Sequence, residues 1–316
     1  MGHKTTEPAR AITQAILNHV GEMADESGAT AVFVYLDALS DPQIKTPQSI
    51  EDKVIYITRT PQELEEQNRT GKRCLRVPNV PLTRMGQIKI AVFLALSRNM
   101  IRPGDIVIFL TGIAESGTLD TIMITDVGRE YEMYSASEDG QDLPADVRPE
   151  VVERVLDLAT ELGNEGREGK PVGALFVIGD SKRVMELSHQ LVLNPFQGYP
   201  EDQRNILDKR LEETIKEFST IDGAFIIRSD GVIETCGAYL ETTKHKDLEL
   251  PQGLGARHYA AAAITAATDA VAITVSESTG TVTIFRHGKP ITEIEKPRST
   301  ALQHERYLAA VRGEIE

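Results

Sequence analysis

Helical and extended apolar patterns alternate along most of this chain, and that alternation restricts it to a layered α/β architecture more firmly than any other feature. From Ala9 to Met23 the apolar positions Ile12, Ala15, Ile16, Val20 and Met23 recur at helical spacing, and Ala31 to Leu36 then reads as a buried strand. Val54 to Ile57 predicts a second strand, Pro61 to Gln67 a helix with proline in its first turn, and Leu82 to Ser97 a longer amphipathic helix. A Pro103-Gly104-Asp105 turn leads into the β-branched run Ile106 to Leu110, and Thr121 to Thr125 supplies another strand.

The alternation lapses in Ser135 to Arg148, which is polar, acidic and carries neither period. A chain of 316 residues exceeds what one core usually organises. This stretch is therefore read as a linker or long loop dividing residues 1–140 from 141–316. Beyond it, Val151, Val155, Leu158 and Leu162 mark a helix, Ala174 to Ile178 a strand, and Ile206, Leu207, Leu211, Ile215 and Phe218 another helix. Two hairpins follow. Ala224 to Ile227 and Val232 to Thr235 flank Ser229-Asp230-Gly231; Asp269 to Val275 and Thr281 to Phe285 flank Glu277-Ser278-Thr279-Gly280. Between them lies an alanine-rich helix from about Ala256 to Ala267.

Composition removes several function classes. No apolar run approaches the ~20 residues that span a bilayer, and the first residues lack the apolar core of a secretory signal. The expected location is the cytoplasm, with no membrane partner. A formal net charge of -14 repels a polyphosphate backbone, so nucleic acid is not the expected partner. Cys74 and Cys236, the only two cysteines, show no metal-ligand spacing and read as reduced packing residues.

Three places in the second half set small or polar residues where elements meet. Asp222-Gly223-Ala224 stands at the mouth of a strand, where a carboxylate can hold a divalent cation or accept a proton and the small neighbours leave room for a ligand. The same letters also make an ordinary turn. Gly253-Leu254-Gly255-Ala256-Arg257-His258 opens the alanine-rich helix. Cations sit badly at a helix N-terminus, and a bound anion reverses that penalty, so free N–H groups, a guanidinium and an imidazole make a phosphate cradle. Alternatively both side chains swing to solvent or to a carboxylate. Ser276-Glu277 offers a hydroxyl for phosphate and a carboxylate for a hard cation, or is a plain hairpin end.

Taken together, residues from about Val151 to Ile291 resemble the diadenylate cyclase catalytic domain. Gly166-Arg167-Glu168-Gly169-Lys170-Pro171-Val172-Gly173, leading to Phe176-Val177-Ile178-Gly179-Asp180, resembles the family's opening strand, and Asn194-Pro195-Phe196 its Asn-Pro-Phe element. Asp222-Gly223-Ala224 resembles the Asp-Gly-Ala catalytic motif, Gly237-Ala238-Tyr239-Leu240 the segment whose backbone contacts adenine, and Arg257-His258 the core of the second catalytic motif. Asp269-Ala270 through Val275-Ser276-Glu277, with Thr279-Gly280, resembles the closing strand and turn. Where the bacterial form usually reads Gly-Thr-Arg-His-Arg, this chain has Gly255-Ala256-Arg257-His258-Tyr259, and bacterial Ser-Glu-Glu is Ser276-Glu277-Ser278.

Roughly Ala9 to Gly128 resembles the C-terminal regulatory domain of pyruvate kinase, on Val54 to Thr60, Arg102 to Val107, Thr111-Gly112 and Ser116-Gly117-Thr118. The chain has no room for that enzyme's catalytic barrel of ~250 residues. The pairing resembles archaeal-type diadenylate cyclases. The resemblance implies an α/β fold with a pyruvate-kinase-C-like layered domain followed by a catalytic domain of mixed sheet flanked by helices. It implies condensation of two ATP into cyclic di-AMP by two copies face to face. Asp222, Gly223, Ala224, Arg257 and His258 would be catalytic. Gly237 to Leu240, Gly255 to His258, Ser276 and Glu277 would bind ATP, and Asp222 and Glu277 would hold Mn²⁺ or Mg²⁺. It further implies that the Thr58-Arg59-Thr60 and Thr111 to Thr118 loops bind a small anionic effector or organise an oligomer; the alternative is a docking scaffold without ligand. The rival reading is an adenine-nucleotide sensor without turnover, favoured by Ala256, Tyr259 and Ser278.

Overall fold

A computed structural model describes residues 7–39, 46–114, 116–128, 143–241 and 254–296. In the first half α1 (Glu7–Ser27), β1 (Ala31–Tyr35), β2 (Val54–Thr58), α2 (Pro61–Arg69), β3 (Cys74–Arg76), α3 (Arg84–Ser97), β4 (Ile106–Thr111) and β5 (Thr121–Asp126) follow in order. They build a five-stranded sheet of order β3-β2-β1-β4-β5, parallel except for the antiparallel edge strand β5. Every residue of β1 and β2 is buried, as expected of strands covered on both faces. On one face Leu17, Val20 and Ala24 of α1 meet Val32, Val34 and Ile108. On the other, Ile90, Phe93 and Leu94 of α3 share a cluster with Phe33 and Phe109, whose rings stack at 4.7 Å. Helix α2 starts where its sequence says it should: Thr60 Oγ1 accepts from the Glu63 N–H at 3.2 Å, and the Glu63 carboxylate accepts from the Thr60 N–H, with Pro61 between.

The second half contains α4 (Pro149–Glu165), β6 (Ala174–Ile178), α5 (Ser181–Glu186), β7 (Ser188–Gln190), α6 (Glu212–Phe218), β8 (Ala224–Ile227), β9 (Ile233–Leu240), α7 (Ala256–Ala267), β10 (Val271–Val275), β11 (Val282–Arg286) and β12 (Lys289–Ile294). Its seven strands run β12-β11-β10-β6-β8-β9-β7, with β6 and β8 parallel and the other described pairs antiparallel. Alternation sorts β6 between two layers. Phe176 and Ile178 join Val155, Leu158 and Leu162 of α4, whereas Leu175 and Val177 join Ala261, Ala262 and Ile264 of α7. The alanine run lets α7 lie close on the sheet. The expected α/β class, with a layered first half and a mixed second sheet flanked by helices, is the observed one.

Four elements were not expected: β3, α5, β7 and β12. One expectation fails. Ile206 to Phe218 is not a single helix, because only Glu212–Phe218 is α-helical, preceded by a 3₁₀ turn at Lys209–Leu211. The Asn205 side chain accepts from the Leu207 N–H and Asp208 from the Arg210 N–H, local bonds that compete with helix formation. Ile206 is buried by another route, its N–H donating to the Gly231 carbonyl at 2.8 Å. Of the stretch Ser135 to Arg148, residues 135–142 lie outside the described residues, while Leu143 and Val147 are buried.

The halves are joined by more than chain. Arg98, at the C-terminal end of α3, holds Glu153 of α4 with contacts of 2.5 and 2.9 Å, and Arg76 of β3 grips Asp157 in a two-bond fork of 3.2 and 2.7 Å. Helix α3 is buried from Gly86 through Leu96, Lys89 excepted, because it meets both the first sheet and β12, as the Tyr35 hydroxyl donating to the Gln87 carbonyl and Gly86 lying against Glu295 show. Among the described residues no helix is long and apolar enough to cross a membrane. Cys74 and Cys236 are free, and burial pushes their thiols up to about 11 and about 12, which leaves them protonated and inert.

Candidate active site

Segments distant in sequence meet around an open cleft of about 1050 Å³ beside the second sheet, a volume suited to a nucleotide. Asp222 stands just before β8, its side chain 90% exposed. Gly223 follows with φ of +112°, and a Cβ there would come within 2.8 Å of the Ala238 nitrogen and the Gly237 Cα. Only glycine permits that approach of β8 to β9. The ladder between them begins at Ala224↔Ala238, so β9 outruns β8 by Tyr239 and Leu240, which pair with β7 on their other side. That overhang gives the cleft a strip of strand edge toward which a flat ring with donors and acceptors can turn.

Arg257 comes from the first turn of α7. Its Nη2 lies 3.1 Å from Asp222 Oδ1 and its Nη1 3.4 Å from Glu277 Oε2, so one guanidinium bridges two carboxylates. Gly173, just before β6, makes room for it: a Cβ would fall 2.5 Å from Nη1 and 3.0 Å from Cζ. At the open end of α7, a Cβ on Gly255 would meet nothing within 4 Å. The first N–H groups of a helix have no intrahelical partner, and those of Ala256 and Arg257 are therefore a ready anion site.

His258 differs from its neighbour. It is buried at 7% exposure with its ring edge-on to Phe285 at 5.9 Å. Burial holds the imidazole below its ordinary value of 6.5, so at neutral pH it is uncharged and can act by hydrogen bonding but not as a cation. Of these two side chains, only Arg257 therefore carries a fixed positive charge. The turn after β10 supplies the remaining groups. Gly280 N–H donates to the Ser276 carbonyl at 2.8 Å, and Ser276 Oγ lies 3.2 Å from Ser278 Oγ, so the serine that replaces a second acid braces the turn that bears Glu277.

Asp222, Gly223, Ala224, Ala238, Tyr239, Leu240, Gly255, Ala256, Arg257, His258, Ser276 and Glu277 all line this cleft. Gly237 does not; with φ of +68° it sits behind, where a Cβ would strike the Val192 side chain. Sequence reasoning did not single out Leu191, Gly173 or Glu293 as site residues. Leu191 and Glu293 line the cleft, and Gly173 backs the guanidinium. Leu191 is 48% exposed inside the run Leu191-Val192-Leu193, apolar letters that in sequence look like core.

Two curated proteins are similar to this chain in sequence. A protein of Methanocaldococcus jannaschii named "Diadenylate cyclase" is 33% identical over 280 residues, covering 86% of this chain and 85% of its own. The chain belongs to the diadenylate cyclase family. A Haloferax volcanii protein of the same name is 38% identical over 211 residues, 66% of this chain and 75% of its own. The family model described as "DisA bacterial checkpoint controller nucleotide-binding" matches residues 161–290, and "Probable sensor domain DacZ_P" matches residues 13–134. A solved structure named as a pyruvate kinase from Cryptosporidium parvum, 17% identical, covers 37% of this chain and 23% of its own with a TM-score of 0.29, too distant to carry an argument. In diadenylate cyclase terms, every residue lining the cleft except Glu293 falls within the matched nucleotide-binding segment.

Proposed function

We propose that this protein condenses two ATP molecules into cyclic di-AMP, releasing two pyrophosphates. The observation that carries the reading is the convergence of Asp222, Arg257 and Glu277 on one cleft beside an open helix N-terminus. Each chain binds one ATP, its adenine toward the Gly237 to Leu240 backbone and its triphosphate toward Arg257, the α7 N-terminus, Ser276 and Glu277. The 3′-hydroxyl of each ATP attacks the α-phosphorus of the other. The new P–O bond forms as the bond to pyrophosphate breaks, and the hydroxyl proton passes to Asp222 or to solvent.

Two carboxylates beside a triphosphate form the hard-oxygen set that suits Mn²⁺ or Mg²⁺, so Asp222 and Glu277 are the residues that would hold such an ion. A divalent cation there would neutralise charge on the phosphates. Arg257 occupies the space between those carboxylates, and its movement onto phosphate would free both. Because one cleft holds one ATP, the productive complex pairs two clefts about a two-fold axis. Incubation with ATP and Mn²⁺ or Mg²⁺, followed by mass spectrometry, tests the reading. Cyclic di-AMP and pyrophosphate are expected; ATP binding without product would overturn it in favour of a nucleotide sensor.

The same proposal places catalysis in residues 141–316 of a cytoplasmic protein and regulation or assembly in residues 1–140. An anionic effector near Thr58-Arg59-Thr60 and Thr111 to Thr118 would not meet a free guanidinium, because Arg59 is paired with Asp37 at 2.6 Å. The Thr58 and Thr111 hydroxyls, buried and without a hydrogen-bond partner among the described residues, support contacts to a polar ligand instead.

A further inference from the structure

The turn that carries Glu277 is exposed from Glu277 to Thr279, the kind of segment that is ordinarily mobile. Its last glycine is nevertheless pressed against a helix. A Cβ on Gly280 would overlap the carbonyl oxygen of Gly163, and a Cβ on Gly163 would overlap that of Gly280. Gly163 lies inside α4, where glycine is disfavoured against alanine, so helix propensity does not explain its presence. The close approach of two backbones does. Lys296 closes the contact, its Nζ donating to the Gly163 carbonyl at 3.3 Å and its Cδ lying 3.0 Å from the position of a Gly280 Cβ.

Helix α4 is itself anchored. Glu153 and Asp157, one turn apart, are held by Arg98 and Arg76 of the first half, and both carboxylates are nearly buried, with side chains 7% and 12% exposed. A fixed helix therefore touches the loop that bears a site carboxylate on a surface where neither side has a side chain to yield.

We propose that Gly163 and Gly280 are positioning residues of the active site: their backbone contact sets the Ser276 to Thr281 turn so that Glu277 faces Asp222 across Arg257. This rests on the reading of Asp222 and Glu277 as cation ligands and extends it to residues that touch neither ATP nor cation. Displacing the turn moves Glu277 alone of the two carboxylates, since Asp222 stands on a separate segment, just before β8. The property that changes is the gain in ATP affinity that a divalent cation brings, while the adenine end is untouched.

The test compares wild type, Gly163→Ala, Gly280→Asn and Ile50→Val. Asparagine tolerates the left-handed φ of +70° at residue 280 while adding a Cβ, so this surface variant keeps the question open even where Gly163→Ala fails to fold. Ile50→Val trims a buried side chain of the first half that does not line the cleft, and controls for lost stability. Calorimetry measures binding of a non-hydrolysable ATP analogue with and without Mn²⁺, and product is assayed separately. The glycine variants are expected to keep metal-free affinity, lose most of the Mn²⁺-dependent gain, and fall about 10²-fold in turnover; Ile50→Val keeps all three. A Mn²⁺-dependent gain and turnover retained in Gly280→Asn, or lost equally in Ile50→Val, overturns the positioning role. Wild type that binds the analogue but forms no cyclic di-AMP sinks the proposed activity, while the Mn²⁺-dependent gain still decides this inference.

Discussion

Arg59 and Arg257 are both paired with aspartate, but the first pair is walled in and the second stands open. Arg59 and Asp37 are each 9% exposed and lie 2.6 Å apart, and Arg59 also donates to the Val80 carbonyl. Burial raises the Asp37 carboxyl above its ordinary value, with Arg59 pulling the other way, the mark of a charge that depends on its partner. Arg257 is 29% exposed and reaches Asp222 and Glu277, which are 90% and 63% exposed, at longer distances. An exposed pair contributes about 0–1 kcal/mol. It can exchange carboxylate for phosphate with little loss, and a buried pair cannot. The contrast marks Arg59 as a residue of the fold and supports the proposed role of Arg257 toward a ligand.

The largest effect should come from removing the exposed aspartate. Asp222→Asn is expected to lower cyclic di-AMP formation by about 10³-fold, the scale of a lost base or cation ligand, while ATP binding and thermal stability stay near wild type; product analysis and calorimetry check this together. Arg59→Ala should show the reverse profile. Leaving Asp37 buried and unpaired is expected to lower folding stability by about 3–5 kcal/mol, read from denaturant unfolding, and a change under ~1 kcal/mol would erase the distinction between the pairs.

Arg257→Ala is expected to leave unfolding almost unchanged but to reduce turnover about 10²-fold and weaken ATP binding, so equal ATP affinity by calorimetry would remove the guanidinium from the phosphate site. The smallest effect separates Arg257 from the next residue. Because burial lowers the His258 pKa from 6.5, its stability contribution is fully present above pH 6.5 and is lost as pH falls from there toward the folded-state value. The slope is at most about 1.4 kcal/mol per pH unit, and His258→Gln should flatten it in unfolding curves taken on either side of 6.5.

Local pattern made some elements readable and long-range packing hid others. The alanine-rich helix is found where its composition put it, at Ala256–Ala267, because helix propensity acts within a few residues. Ile206 to Phe218 misled because its apolar spacing fits a helix while Asn205 and Asp208 divert the backbone. The three-residue strands β3 and β7 are too short to show a period. The meeting of Asp222, Arg257 and Glu277 was not legible from spacing at all; it was suggested by resemblance of whole phrases. Nothing in the sequence said that Gly237 would stand behind the cleft, that Arg59 would be consumed by Asp37, or that Gly163 would meet Gly280, since each depends on a partner far along the chain.

The placement of α3 bears on how such a protein could be assembled from parts. Its chain position belongs to the first half, yet it covers β12, the edge strand of the second sheet. The seam in the polypeptide and the seam in the packing are therefore different places. A gene fusion that replaced the first half with a foreign module would strip that edge of its apolar cover, and the newcomer would have to bring a helix of the same shape and greasiness. Exchange of partners at this junction is restricted by a surface that lies well upstream of it.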